Sequence, residues 1–249
     1  MLTDTHCHLY EQYYDDITSI IKNAEYVGVN RFINNGCNDK TNKEILKLIE
    51  VYPNMYGALG IHPSDVENFK TEDLEFIEKN LRNKKIVALG EIGLDYYWTK
   101  DNKDLQKNIF ERQLKLAETY QIPVIVHNRD ATKDVLEILR KFNVSGVIHS
   151  FSGSYETAME FIKIGFLLGI NGVVTFKNNK VKDVLTNISL DNIIIETDSP
   201  YLTPHPYRGD KNEPKNIGII VEYLADYLHI NRDEIVKITN QNIARVFDI

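Results

Sequence analysis

The segment Ile86-Val87-Ala88-Leu89-Gly90-Glu91 decides the fold, because a continuous apolar run leads directly into a carboxylate. A strand that is apolar at every position, rather than at every second one, is buried on both faces, as in a parallel sheet covered by helices. The same pattern recurs where Val124-Ile125-Val126 leads into His127 and where Val147-Ile148 leads into His149. The sequence therefore repeats one kind of buried strand that leads into a polar residue.

Eight such runs follow one another at intervals of about 20 to 40 residues, which suits a strand, a helix and two connections. The first opens at Leu2, and the others are Arg31 to Asn35, Met55 to Ile61, Lys85 to Gly90, Pro123 to Val126, Gly146 to Ile148, Phe166 to Ile170 and Asn192 to Ile195. Apolar residues at helical spacing predict helices between and after them, at Asn42 to Val51, Leu105 to Tyr120, Ala131 to Phe142, Ile217 to His229 and Arg232 to Phe247.

The length of the chain distinguishes between the folds that repeat a strand and a helix. A (β/α)8 TIM barrel typically takes about 250 residues, and this chain has 249. We therefore predict an α/β protein, with a (β/α)8 barrel formed as a single domain by residues 1–249. Such barrels carry their chemistry at the carboxyl ends of the strands, where the polar residues of this sequence fall.

Composition excludes several classes of protein. With 43% hydrophobic and 26% charged residues and no low-complexity tract, the chain is expected to be soluble and globular. The N-terminus has no basic leader and no segment approaches eighteen uninterrupted apolar residues, so we expect neither a secretory signal nor a membrane partner. The only cysteines are Cys7 and Cys37, which favours a reducing cytoplasmic location over a disulfide framework.

The formal net charge of -7 argues against a protein that coats duplex DNA, because such proteins are normally basic. It does not exclude a nuclease. Bound divalent cations add positive charge where a phosphate must lie.

His6-Cys7-His8 is the strongest local indication of a metal site. Residues two apart on a strand project to the same face, so two imidazoles can converge on one cation. The alternative is a structural histidine at a strand end. Cys7 points to the opposite face and is expected to pack in the core.

Four further strand-end residues carry metal-type ligands: Glu91, His127, His149 and Asp198. A buried carboxylate such as Glu91 must be compensated, either by two metals that it bridges or by an ion pair with a lysine or arginine. His127 and His149 are each open to a second interpretation, as hydrogen-bonded core histidines. Asp198 ends the last strand beside the first, where it could ligate the metal of His6 and His8 and accept a proton from water.

These motifs resemble the TatD-type metal-dependent deoxyribonucleases, in order and along the entire chain. The motifs that carry the resemblance are His6-x-His8, Gly60-Ile61-His62-Pro63, Gly90-Glu91-Ile92-Gly93-Leu94-Asp95, His127-x-Arg129-x-Ala131, His149-Ser150-Phe151-Ser152-Gly153 and Glu196-Thr197-Asp198-Ser199-Pro200-Tyr201-Leu202.

The resemblance implies a barrel of the amidohydrolase group with two divalent metal ions and phosphodiester hydrolysis. Carried over residue by residue, one metal would be held by His6, His8, Glu91 and Asp198, and the other by Glu91, His127 and His149. The catalytic residues would be Glu91 and Asp198. Imidazole-rich ligation suits zinc or manganese, and magnesium stays open. The implied substrate is the end of single-stranded DNA, cut from 3' to 5', or of RNA, and no obligate protein partner is implied.

A hydroxide formed on the metals near neutral pH would attack phosphorus, with His62 and Arg129 as contacts to the substrate phosphate. Arg129 could instead neutralise Glu91 or Asp198, and His62 could serve a structural turn at Pro63. The loop Tyr96-Tyr97-Trp98 could stack on an unpaired base or pack as a lid.

Two other functions stay open at this point. A metal-dependent ester or amide hydrolase, such as a D-aminoacyl-tRNA deacylase, would use the same hydroxide on a different bond. A barrel that serves only as an interaction scaffold is disfavoured, because inactive descendants commonly lose ligands and all six are present here.

Overall fold

A computed structural model describes residues 1–98 and 100–249 of the protein. In these residues eight strands form one sheet in chain order. The strands are β1 (Leu2–Cys7), β2 (Val29–Asn35), β3 (Met55–Leu59), β4 (Ile86–Asp95), β5 (Val124–Arg129), β6 (Gly146–Ile148), β7 (Phe166–Ile170) and β8 (Ile193–Ile195). The helices are α1 (Ile17–Tyr26), α2 (Asp39–Val51), α3 (Thr71–Asn80), α4 (Lys103–Tyr120), α5 (Thr132–Leu139), α6 (Tyr155–Lys163), α7 (Val181–Leu185), α8 (Ile217–Leu228) and α9 (Arg232–Phe247). The predicted fold class, a (β/α)8 barrel, is confirmed.

Contacts between residues divide the chain into two compact units. The first unit comprises Met1–Asn34, Ser150–Met159 and Leu167–Ile249, and the second comprises Asn35–His149 and Glu160–Phe166. The assignment of residues 1–249 to a single domain stays a prediction.

The strands are buried on both faces, as the continuous apolar runs predict. All ten residues of β4 and all five of β7 are buried. Parallel pairing joins β4 to β5 and β7 to β8, which is the arrangement that requires two-sided burial.

The carboxyl ends predicted for several strands are wrong. β3 ends at Leu59 rather than Ile61, and β8 ends at Ile195, so Asp198 follows this strand and does not end it. β4 continues past Gly90 to Asp95, so Glu91 lies within the strand rather than after it. The register shifts between Leu89 and Ile92, and pairing with β5 then resumes as far as Asp95 and Arg129. Because β5 stays paired along this extension, it also reaches beyond Val126.

The helices follow local sequence signals. The Asn38 side chain accepts the Thr41 amide at 3.1 Å, and the Thr41 hydroxyl accepts the Asn38 amide at 3.0 Å. This capping box starts α2, which buries Ile45 and Ile49. In the described ranges, no helix has both the length and the apolar character needed to cross a membrane.

Buried side-chain amides hold the backbone at the ends of the strands in the second unit. Gln113 in α4 accepts the Ile61 amide at 2.8 Å and donates to the Ile61 carbonyl at 3.0 Å. Gln106, one heptad earlier, pairs in the same way with Asp95, at 2.9 Å for both bonds. Asn42 in α2 does the same for Gly60. Each amide therefore replaces the partner strand that these backbone groups no longer have.

The first unit uses the same device after β1. The Asn34 side chain at the end of β2 accepts the Leu9 amide at 2.7 Å and donates to the Leu9 carbonyl at 3.2 Å. Leu9 directly follows His8, so this pairing fixes the backbone at the second candidate ligand.

Replacing Gln113 by Leu should destabilise the protein by about 2 kcal/mol or more, because the buried amide and carbonyl of Ile61 both lose their partners. The measurement is the midpoint of urea unfolding. Gln241→Leu, at an exposed position of α9, is the matched control and should leave the midpoint nearly unchanged. Equal midpoints for the two variants would show that the amide pairing does not stabilise the fold.

Candidate metal centre

Two imidazoles and a carboxylate converge in the first unit. His6 Nε2 and His8 Nε2 lie 3.1 Å apart, and Asp198 Oδ1 lies 3.5 Å from His8 Nε2 and 3.9 Å from His6 Nε2. All three residues are buried. We call His6, His8 and Asp198 the first cluster.

The backbone of β1 and of the segment after β8 places these side chains. The Asp198 amide donates to the His6 carbonyl at 2.9 Å, and the His8 amide donates to the Ser199 carbonyl at 2.7 Å. Asp198 itself adopts a left-handed conformation with φ of 57°. Such a conformation costs a non-glycine residue roughly 1 kcal/mol or more, and it is typical of functional sites.

A buried carboxylate, Asp4, ties the two segments together. It accepts the Thr197 amide at 2.9 Å and the His6 amide at 3.3 Å, and it also accepts the Thr197 hydroxyl. Burial raises the pKa of Asp4 to about 7, although these hydrogen bonds act in the opposite direction. Asp4 thus fixes the backbone of His6 and of Thr197, the residue before Asp198.

In the second unit, Glu91 is the centre of a group of three histidines. Its Oε1 lies 2.8 Å from His127 Nδ1, 3.5 Å from His62 Nε2 and 3.9 Å from His149 Nε2. Glu91 and His149 are buried, and His62 and His127 are partly exposed. We call these four residues the second cluster.

Asp95 orients one of these histidines. Its Oδ2 lies 3.0 Å from His127 Nε2, and its Oδ1 accepts the amides of Tyr97 and Trp98. Burial lowers the pKa of His127, but its hydrogen bonds to Asp95 and Glu91 outweigh burial and raise it overall. Burial acts to raise the pKa of Asp95. The hydrogen bonds from His127 and from the amides of Tyr97 and Trp98 outweigh burial and lower this pKa below its usual range.

His62 has the structural role at the Pro63 turn that the sequence left open, and its second ring nitrogen lies beside a candidate ligand. Its Nδ1 accepts the Ser64 amide at 3.1 Å and thereby caps the short turn at Pro63–Asn68. Its Nε2 faces Glu91. Burial lowers the pKa of His62, although the Glu91 carboxylate acts against this shift.

Arg129 lies at the exposed end of β5. Its guanidinium carbon is 4.0 Å from the centre of the Tyr97 ring and 5.4 Å from that of Trp98. Within residues 1–98 and 100–249, no acidic side chain forms an ion pair with Arg129. The side chain is therefore held by aromatic rings.

Three donor atoms in each cluster could hold a divalent metal ion: those of His6, His8 and Asp198, and those of His62, Glu91 and His127. Two ligands about 2.1 Å from one cation lie within about 4.2 Å of each other. The donor pairs of the first cluster, at 3.1, 3.5 and 3.9 Å, meet that limit. So do the distances from Glu91 Oε1 to its three histidines. Imidazole nitrogen and carboxylate oxygen are the donors that zinc and manganese accept.

Sequence reasoning missed Asp4 and Asp95 as residues that position the candidate ligands. Both had a usable signal, because Asp4 lies two residues before His6, and Asp95 lies four residues after Glu91. An even spacing along a strand places each pair on the same face.

Comparison with known proteins identifies relatives over the whole chain. The model of the family described as TatD related DNase matches residues 3–248. The chain is 42% identical to the uncharacterized metal-dependent hydrolase YabD of Bacillus subtilis, over 100% of both chains. It is 34% identical to the uncharacterized metal-dependent hydrolase YcfH of Escherichia coli, over 100% of this chain and 96% of the relative.

A solved structure supports the same relationship. The crystal structure of YjjV, a TatD homologue from Escherichia coli, superposes with a TM-score of 0.94 at 30% identity. The match covers 100% of this chain and 98% of that one.

Replacing Asp95 by Ala should weaken metal binding by about 10- to 100-fold, because a ligating histidine depends on the partner of its second nitrogen. Competition with a chromogenic chelator measures this affinity without any substrate. Asp101→Ala, at an exposed position of the same unit, is the control and should bind metal normally. An unchanged affinity in Asp95→Ala would remove His127 from the ligand set.

Proposed function

This chain belongs to the family of TatD-related deoxyribonucleases, and we propose that it hydrolyses phosphodiester bonds at the ends of single-stranded DNA or RNA, working from 3' to 5' with two divalent metal ions. The family relationship makes it a metal-dependent hydrolase. The observation that carries the finer proposal is the pair of clusters, in which imidazoles and carboxylates converge.

We assign the ligands by cluster. His6, His8 and Asp198 would hold one metal, and Glu91, His127 and His149 the other. His127 would bind through Nδ1, because its Nε2 faces Asp95. When bound, the metals would polarise the phosphoryl oxygens and lower the pKa of a coordinated water, which supplies hydroxide near neutral pH.

The residues of the chain would do the remaining work. Asp198 would accept the proton of the attacking water, since its carboxylate already lies beside the His6 and His8 nitrogens. As the bond from water oxygen to phosphorus forms, one phosphorus–oxygen ester bond breaks, and the leaving oxygen takes a proton. Arg129 and His62 would contact the phosphate and meet its developing charge.

A labelled oligonucleotide tests the reaction. The metal-loaded protein should convert single-stranded DNA labelled at the 5' end into a ladder of progressively shorter labelled products. Immediate release of a labelled mononucleotide would reverse the proposed direction. Cleavage of D-aminoacyl-tRNA with no cleavage of DNA or RNA would replace the phosphodiester proposal by an acyl one.

Glu91→Gln and Asp198→Asn should each lower the rate of cleavage by at least about 100-fold, because each removes a charge that acts on the reaction centre. Initial rates on the same oligonucleotide measure the effect. Glu50→Gln and Asp15→Asn change the same residue types at exposed positions and should retain full rates. Near-normal turnover in both site variants would refute these assignments.

Treatment with EDTA followed by its removal should abolish cleavage, because the proposed reaction requires bound metal. Adding back zinc, manganese or magnesium separately should restore the activity and rank the ions. An enzyme that keeps its full rate after chelation contradicts the metal mechanism.

A further inference from the structure

Two exposed aromatic rings and a cation lie next to the second cluster. Tyr97 and Trp98 are 51% and 68% exposed, with ring centres 4.9 Å apart and planes nearly perpendicular. The Arg129 guanidinium carbon lies 4.0 Å from the centre of the Tyr97 ring and 5.4 Å from that of Trp98. We call Tyr97, Trp98 and Arg129 the aromatic platform.

The exposure of the rings argues against a lid that packs on the protein. A packed lid buries its aromatic side chains, which gives most of their stabilising effect. Here the neighbouring Tyr96 is the buried residue, and its hydroxyl donates to Asp134 at 2.7 Å. Tyr96 therefore anchors the loop, and Tyr97 and Trp98 stay available to a ligand.

The platform is held in place before any ligand arrives. Asp95 accepts the amides of Tyr97 and Trp98 at 2.9 and 3.0 Å, and the Tyr96 amide donates to the Arg129 carbonyl at 2.9 Å. Asp95 is in turn fixed by Gln106. A site ordered in advance loses less conformational entropy when it binds.

The charge of the platform indicates the chemistry of the ligand. The Arg129 guanidinium lies over the Tyr97 ring, and within the described ranges its side chain forms no ion pair with an acidic residue. A planar guanidinium suits a phosphate through its edge, and exposed rings suit the flat face of a base. The combination fits a group that carries both, which is a nucleotide.

We propose that the aromatic platform binds the terminal unpaired nucleotide of a single-stranded nucleic acid, with Tyr97 and Trp98 stacked on the base and Arg129 on the adjacent phosphate. This inference rests on the proposed function and adds the residues that recognise the end of the strand. Asp95 joins the two sites, because one of its oxygens holds the platform loop and the other faces His127.

Trp98 makes the proposal directly measurable, because it is the single tryptophan of the chain. Its fluorescence is titrated in the metal-loaded protein with a pentanucleotide whose 3'-terminal linkage is a phosphorothioate, which slows cleavage. A matched pentanucleotide lacks only the 3'-terminal base. The complete strand should quench Trp98 and bind about 5- to 100-fold more tightly than the abasic strand.

Two variants separate the base from the phosphate. Tyr97→Ala keeps the fluorescent reporter and should bring the affinities of the complete and abasic strands close together. Arg129→Met should weaken both strands by a similar factor. Tyr26→Ala and Arg82→Met remove an exposed ring and an exposed cation elsewhere, and both should bind like the unchanged protein.

Cleavage distinguishes the failure of this inference from that of the proposed function. Trp98→Ala should raise KM for the complete strand at least 5-fold and leave kcat nearly unchanged, whereas Trp98→Phe, which keeps a ring, should recover much of the loss. Normal cleavage by Trp98→Ala, or equal binding of complete and abasic strands, overturns the platform while the proposed function stands. If the complete strand quenches Trp98 but the protein cuts no phosphodiester bond, the platform stands and the proposed function is overturned.

Discussion

The pairing of buried side-chain amides with the backbone beyond the strand ends is the interaction on which the candidate centre depends. Where a chain leaves a sheet, its backbone amides and carbonyls lose the hydrogen bonds to the neighbouring strand. If they are buried, they need other partners. Asn34, Gln106 and Gln113 supply both a donor and an acceptor to Leu9, Asp95 and Ile61. Leu9 follows the candidate ligand His8, Asp95 is the partner of His127, and Ile61 precedes His62. Ordered backbone at these points is what allows side chains from separate strands to converge.

Convergence of this kind brings several polar groups together inside the protein. His6 and His8 turn their Nε2 atoms toward each other at 3.1 Å, and buried polar groups are costly unless they are paired. Asp198 adds a carboxylate and a left-handed backbone. The surrounding hydrogen bonds, from the Thr197 amide to Asp4 and from the Asp198 amide to the His6 carbonyl, fix this arrangement in advance. A bound metal would then stabilise the folded protein, because the free energy of metal binding adds to that of folding.

The sequence predicts the fold class and most of the candidate ligands because both depend on local pattern. An apolar run marks a buried strand, and a histidine or carboxylate that follows it lies at a strand end. The predicted strand end was wrong at Glu91, because β4 shifts its register there and pairs with β5 beyond the apolar run, as far as Asp95. The pattern also missed the amide pairs, since Gln113 and Ile61 are 52 residues apart. The one local sign was a buried polar side chain on the apolar face of α4, beside Ile109 and Leu114.

Asp95 connects the candidate metal centre to the proposed recognition of substrate. One oxygen of its carboxylate faces His127 Nε2, and the other accepts the amides of Tyr97 and Trp98. The position of the rings relative to the imidazole is thus set by one small rigid group rather than by a long path through the core. The contacts to the loop use its backbone, so a substitution of Tyr97 or Trp98 would leave in place the hydrogen bonds that hold Asp95 beside His127.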